Sequence, residues 1–244
     1  GEESFVGCAP MPTRHGLTVG ELGSWFATQQ THELDLSVIT MTGYKPGQIP
    51  GYGWPGHARP WINPSPNAAS INMARIFPGT VLLEGTTLSE GRGTTTPLEV
   101  IGAPDLPIDS LLADLSSQAP HWLGSAYLRE CFFTPTFHKH VGQLCTGIQI
   151  HTDYPAYNHD EFKPYRLIAG LLKSLRRLEP AFDIWRFHPY EYELDRKPID
   201  VINGGPGLRS WVDDPDQDFS EFDAQLSAAE NRWKEERQQF LLYP

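Results

Sequence analysis

The sequence predicts an α/β fold, with part of a parallel sheet followed by a C-terminal α+β domain. Three observations carry this prediction. Helix-like and strand-like segments alternate up to residue 116, the order expected of a parallel sheet with crossover helices. Thr80 to Leu83 is a continuous apolar run entered through Pro78-Gly79, as in a strand buried on both faces. After Pro120 the texture changes to two strand-like stretches and a long amphipathic helix. The domains are therefore assigned as 1–124 and 125–244.

The elements follow in order. Thr18 with Glu21 has capping-box spacing, and Leu17 with Leu22 stands where a hydrophobic staple stands, so a helix should run from about 19 to 29. Leu34 to Met41, rich in Leu, Val, Ile and Thr, reads as a strand, and Tyr44 to Asn67, crowded with Pro, Gly and aromatics, as an extended loop. A short helix is expected over 67–76, the buried strand over 80–83, a short strand over 99–102 and a helix over 108–116. Tyr127 to Phe133 and Gln143 to Thr152 read as strands. Phe162 to Leu178 carries an apolar helical stripe of Tyr165, Ile168, Leu171, Leu172, Leu175 and Leu178, with Pro164 tolerated in the first turn. A last helix, about 220 to 239, starts at Ser220 with Asp223 in capping-box spacing and carries Phe222, Leu226, Ala229 and Trp233 on one side.

Composition narrows the function. The 244 residues carry a formal charge of −11, with a pI near 5.2, so no basic field exists to replace the counterions of a nucleic acid. An anionic ligand must be held by local Arg or backbone groups. No apolar run reaches the roughly 18 residues of a membrane span, and residues 1–20 lack the charged head and apolar core of a signal peptide. Cys8, Cys131 and Cys145 are odd in number and widely spaced, which reads as buried free thiols rather than a disulfide framework or zinc site.

Glu84 to Thr96 is the segment richest in chemistry. Gly85, Gly91 and Gly93 let the backbone approach a ligand, Ser89 and Thr94 offer hydroxyls, and Arg92 can grip a carboxylate in a fork. Glu84 and Glu90 supply two carboxylates. The competing reading is a solvated Gly-Thr loop whose Glu and Arg pair with one another. Glu21 is explained by its cap. His15, beside a helix N-terminus, can position a sugar hydroxyl or simply hold its loop. Trp61 and Asn67 belong to an aromatic and amide-rich loop that suits the faces and hydroxyls of a sugar and equally suits a plug over a core.

Gly51, Gly53 and Gly56 spell G-x-G-x-x-G, but Trp54 and Pro55 interrupt it, Pro50 precedes it and no helix follows, so nucleotide binding is discounted. His138, His140, Cys145 and His151 fit no standard metal spacing. Neither a metal nor a cofactor is expected.

Several stretches together resemble one family. They are Pro12 to Leu22, Trp61 to Asn67, Phe77-Pro78-Gly79 through Glu84-Gly85-Thr86, Ser89 to Thr95 and Ile101 to Pro104. The similarity continues through Phe133 to Phe137, Gly142, Cys145, Gly147 to His151, Asp153, Phe162-Lys163-Pro164, Pro189 to Glu193, Pro198-Ile199-Asp200 and Leu241-Leu242-Tyr243. This pattern resembles the exo-β-N-acetylmuramidases, a family of bacterial cell-wall glycosidases long carried as a domain of unknown function. The resemblance implies a Rossmann-like domain followed by a C-terminal domain, and hydrolysis releasing N-acetylmuramic acid from non-reducing ends of peptidoglycan fragments. It implies a secreted or periplasmic setting and no NAD, since fold does not dictate function.

On the same resemblance Glu84 and Glu90 are the catalytic candidates. Arg14, His15, Trp61, Asn67, Ser89, Arg92 and Thr94 are the substrate-binding ones, with Arg92 or Arg14 meeting the lactyl carboxylate of the muramic sugar. The family pattern also has an N-terminal half with a Glu-His-Gly motif, whose Glu is its proposed acid. Here the His-Gly pair is His15-Gly16, preceded by Arg14, and the acid has no counterpart within residues 1–244. The alternative implied is a non-catalytic carbohydrate-binding remnant of such an enzyme.

Overall fold

The computed structural model describes residues 6–7, 9–55 and 59–243. They form two compact units, Gly1–Pro10 with Trp61–Asp223, and Met11–Pro60 with Ala224–Pro244. Cys8 of the thiol assignment and Gly56 of the glycine fingerprint lie outside the described residues. Cys131 and Cys145 are buried free thiols.

In the larger unit, helix α2 (Ile71–Thr80) runs directly into a 3-10 turn over Val81–Gly85. The run Thr80 to Leu83 is thus buried as expected but helical, so no parallel strand forms there. A four-residue apolar run fits a buried helix end as well as a buried strand. Pro78 sits inside α2. A Cβ on Gly79 would stand 2.2 Å from the Pro164 carbonyl oxygen, so only glycine permits this approach to the next long helix.

Strand β1 (Val100–Ala103), helix α3 (Ile108–Gln118), β2 (Tyr127–Phe133) and β3 (Cys145–His151) follow. Among the described residues they make one mixed α/β layer, with an antiparallel sheet in the order β1-β3-β2. Its register sets Val100 opposite Gln149 and Tyr127 opposite His151. The mixed α/β class is as expected, while among the described residues the sheet is this small antiparallel one, with no parallel pair. The boundary placed at 124 does not separate the units, because β1 from before it pairs along its length with β3 from after it.

Helix α4 (Pro164–Leu178) is buried nearly all round. Ile168, Leu171, Leu172 and Leu175 are core as the stripe predicted, while Leu178 is exposed. Two charged residues on its other faces, Arg166 and Lys173, are buried too, and each has a dedicated partner, whereas the buried Ser174 hydroxyl has none. Lys173 donates to the Trp211 carbonyl at 2.6 Å and to the Asp214 carbonyl, and burial pushes its pKa down. Arg166 pairs through Nε with Asp223. Helix α6 (Gly207–Asp213) packs beside it, and α5 (Pro198–Asn203) packs on α6 and on the 3-10 turn over Val81–Gly85; Trp211 stacks on Phe222 at 4.2 Å.

The last helix, α7 (Phe219–Arg237), begins one residue earlier than predicted. Asp218 caps it, accepting from the Glu221 N–H at 2.8 Å. Asp223 is not the back-reaching box residue expected of it; its carboxylate takes Arg166 and the Trp122 indole N–H instead.

In the smaller unit, α1 (Val19–Ala27) starts with the predicted capping box at Thr18 and Glu21. Glu21 also accepts the Leu242 N–H at 2.7 Å, which accounts for its buried carboxylate. Trp25 meets Trp233 edge-on at 5.3 Å and donates to Glu236 at 2.7 Å. Residues 34–41 form no strand. They lie along α1 over its glycines, where a Cβ on Gly20 would stand 2.5 Å from Val38 Cγ1; β-branched content favours an extended chain but supplies no ladder partner.

Asp223→Ala removes the carboxylate paired with a buried guanidinium and should lower the unfolding free energy by about 3 kcal/mol. Urea denaturation followed by tryptophan fluorescence measures it, and a loss under about 1 kcal/mol would rank the pair with ordinary surface pairs.

Candidate functional site

Three chain segments of the larger unit converge on one group of charges. The first is the turn and loop over residues 81–93. Gly91 and Gly93 have φ of +71° and +78°, a left-handed backbone that glycine adopts without strain. The loop is fixed from within: Ser89 Oγ accepts from the Gly91 N–H at 3.1 Å and Thr94 Oγ1 donates to the Gly91 carbonyl at 2.7 Å. Both hydroxyls predicted to touch a ligand are thus engaged in shaping the loop.

The second segment is the β2–β3 connection. His138 and His140 have φ of +71° and +55°, uncommon for non-glycine residues. They are held there by contacts with the first loop. Thr136 N–H donates to the Arg92 carbonyl at 3.1 Å, and the His140 ring meets the Thr87 carbonyl at 2.9 Å. Lys139 Nζ donates to the carbonyls of Leu83 at 2.7 Å and Thr86 at 3.2 Å.

The third segment is 184–193. Arg186 N–H donates to the Gly85 carbonyl at 3.2 Å, and Tyr190 and Glu193 exchange backbone hydrogen bonds around a turn with Glu191 at φ +53°.

Where the three meet, Glu90 is fully buried. Lys139 Nζ stands 2.6 Å from its Oε2 and Arg92 Nε 2.9 Å from its Oε1. Burial pushes the Glu90 carboxyl up, but Lys139 and Arg92 together outweigh it and hold it below the usual carboxylate range. For Lys139 burial wins over the pull of Glu90 and lowers its pKa.

Arg92 reaches on through Nη2 to Glu84 Oε1 at 2.8 Å, and the Tyr190 O–H donates to Glu84 Oε2 at 2.8 Å. Burial and then the Glu84 charge raise the Tyr190 pKa, so the phenol stays protonated. Beside Glu84 opens a cavity of about 350 Å³. Glu84, Arg92, Phe137 and His138 form part of its wall, and the segment from Arg186 to Glu191 forms the rest. Burial lowers the His138 pKa despite Glu90, and burial with Arg186 lowers that of His188.

Of the sequence-predicted residues, Glu84 and Arg92 line this cavity. Glu90 does not line it; its side chain has no exposed surface and is held between Arg92 and Lys139. Trp61 donates to the Ala68 carbonyl at 2.8 Å and closes the loop that carries Asn67. Arg14 and His15 belong to the smaller unit. There the His15 ring accepts from the Leu17 N–H at 3.2 Å, and its carbonyl accepts from Trp233 and Arg237. Burial and Arg237 lower the His15 pKa.

Lys139, Arg186, His188 and Tyr190 carry no role in the sequence reading. The available signal was their place inside or beside stretches already matching the family pattern, Phe133 to Phe137 and Pro189 to Glu193. No group of metal-ligating side chains gathers among the described residues: His138 turns to Glu90, and His151 meets Asp153 at 3.3 Å.

Lys139→Met and Glu90→Gln each remove one side of this buried pair and should each cost about 3–5 kcal/mol of stability. The double variant should cost clearly less than the sum, because the two sites interact. Chemical denaturation of the four proteins checks this, and strict additivity would contradict the pairing. Because Glu90 is depressed in the folded state, its contribution is fully present above its unfolded value near pH ~4.3. It is lost as pH falls through the lower folded value. The Glu90→Gln protein should therefore lose less stability than the parent on acidification through that window.

The pattern of matches agrees with the location of this cluster. Residues 75–243, which contain every group lining the cavity, match the family described as exo-beta-N-acetylmuramidase NamZ, C-terminal, and residues 1–72 match its N-terminal counterpart. The peptidoglycan beta-N-acetylmuramidase NamZ of Bacillus subtilis is 37% identical over 210 residues, which cover 86% of this chain and 46% of that protein. The chain thus spans under half the length of this curated relative. Two DUF1343 family proteins of Bacteroides fragilis share the fold, with TM-scores of 0.70 and 0.65 at 19% and 22% identity. Each match covers 99% of this chain, and 60% and 59% of the respective neighbours. With both family regions matched in order, the chain belongs to the exo-β-N-acetylmuramidase NamZ family.

Proposed function

We propose that this chain carries part of the substrate site of a glycoside hydrolase that releases N-acetylmuramic acid from non-reducing ends of peptidoglycan fragments, and that Glu84 is its cavity carboxylate. One observation supports this above the others: Glu84 has both oxygens oriented, by Arg92 and by Tyr190, at the wall of a cavity large enough for a sugar. An oriented carboxylate can act on a glycosidic bond without first reorganising, which is how fixed polar groups accelerate such reactions.

Glycoside hydrolysis commonly takes two carboxyl groups on either side of the bond. Glu90 is too buried for that part. The second carboxyl is assigned to the family's Glu-His-Gly motif, and the Rossmann-like parallel sheet likewise to family length this chain does not span. Arg92 holds Glu84 and is itself held by Glu90, so Glu90 and Lys139 act through position and not by contact with sugar. Peptidoglycan lies outside the cytoplasmic membrane, and a secreted or periplasmic location goes with the proposed activity. Among the described residues no helix is long and apolar enough to cross a membrane.

In a family protein containing this sequence together with the Glu-His-Gly region, Glu84→Gln should lower kcat/KM on a chromogenic N-acetylmuramic acid glycoside by roughly a hundredfold or more. Parent-like turnover by that variant would remove Glu84 from the chemistry.

A further inference from the structure

We infer that Arg186 reads the carboxylate of the lactyl ether, the group that distinguishes N-acetylmuramic acid from N-acetylglucosamine. The inference deepens the proposed function and rests on it for the identity of the sugar.

The charge balance of the cavity singles this residue out. Arg92 is committed to Glu84 and Glu90, and Lys139 to Glu90 and two backbone carbonyls. Glu84 in turn is committed to Arg92 and Tyr190. Arg186 lines the same cavity, and its recorded contacts run through Nη1 alone, to the Glu84 carbonyl at 3.4 Å and to His138 Nε2 at 3.5 Å. Among the described residues no carboxylate pairs with its guanidinium, and Nε and Nη2 have no protein acceptor. Glu90 and Glu84 act on it only through space, both being paired elsewhere, and a half-buried cation with no directly paired counter-ion favours a ligand that supplies one.

The base of the side chain is fixed. Arg186 N–H is bonded to Gly85, and the neighbouring Trp185 is buried and donates to Asp213 at 2.9 Å. A fork held in this way matches a planar carboxylate through two parallel hydrogen bonds, which a lysine cannot reproduce. His138 contacts Arg186 and His188 lies on the same wall. Both have depressed pKa values, so they add hydrogen-bonding nitrogens without a competing counter-charge. Glu191, also on the wall, is exposed.

The test is calorimetric binding of three sugars to the 244-residue chain: N-acetylmuramic acid, its lactyl carboxamide and N-acetylglucosamine. The parent should bind the acid roughly tenfold to a hundredfold more tightly than the amide, the usual value of a hydrogen bond to a charged group. Arg186→Gln should bind acid and amide alike, with affinity for the amide unchanged, which also shows that the cavity is intact. Arg186→Lys, keeping charge but losing the fork, should retain only part of the preference. Retention of the full acid preference in either variant overturns the inference, as does a parent that fails to discriminate or binds none of the sugars. Turnover is not read, so loss of hydrolysis alone would count against the glycosidase and leave the role of Arg186 standing.

Discussion

The buried carboxylate of Glu90 is the constraint on which the site depends. It lies where no water reaches, and an ion there persists only if partners replace its hydration. Two cations from different segments do so, Arg92 two residues further along and Lys139 from the β2–β3 connection. Satisfying one charge therefore fixes three things at once: the loop after α2, the irregular turn with two left-handed histidines, and the direction of the Arg92 guanidinium. Arg92 then delivers its remaining nitrogen to Glu84. The orientation of the cavity carboxylate is thus inherited from a group that does not line the cavity.

The same economy appears in the scaffold. Helix α4 places Arg166 and Lys173 in the interior, and each is answered from a separate part of the chain, Asp223 for one and the carbonyls of Trp211 and Asp214 for the other. Buried charges of this kind add little net stability when complete and much instability when broken. Their effect is to permit one arrangement of α4 against α6 and the start of α7 rather than several.

Much of this was legible in the sequence wherever the signal was local. The capping box at Thr18 and Glu21, the strand Tyr127–Phe133 and the stripe of α4 as far as Leu175 follow from spacing alone, and each is where spacing puts it. The failures share one cause. Residues 80–83 were apolar on all sides, and burial by itself does not say whether a chain is coiled or extended. Residues 34–41 had strand composition but no partner to pair with. At the site, Glu84 and Arg92 were visible because they share one glycine-rich segment. Lys139, Arg186 and Tyr190 were not, since they reach this charge cluster from about 50 to 100 residues away through turns whose positive φ no residue type advertised. Glu90 stands close to Glu84 as the shared segment suggests, but its side chain is enclosed while that of Glu84 lines the cavity, and sequence cannot show which of two nearby carboxylates faces a cavity and which faces inward.

The account is tested most directly by a crystal structure of this chain soaked with N-acetylmuramic acid. It predicts the sugar in the cavity beside Glu84, with the lactyl carboxylate on the Arg186 guanidinium and Glu90 still enclosed by Lys139 and Arg92. Sugar bound elsewhere with the cavity empty, or Glu90 turned outward to meet it, would contradict it.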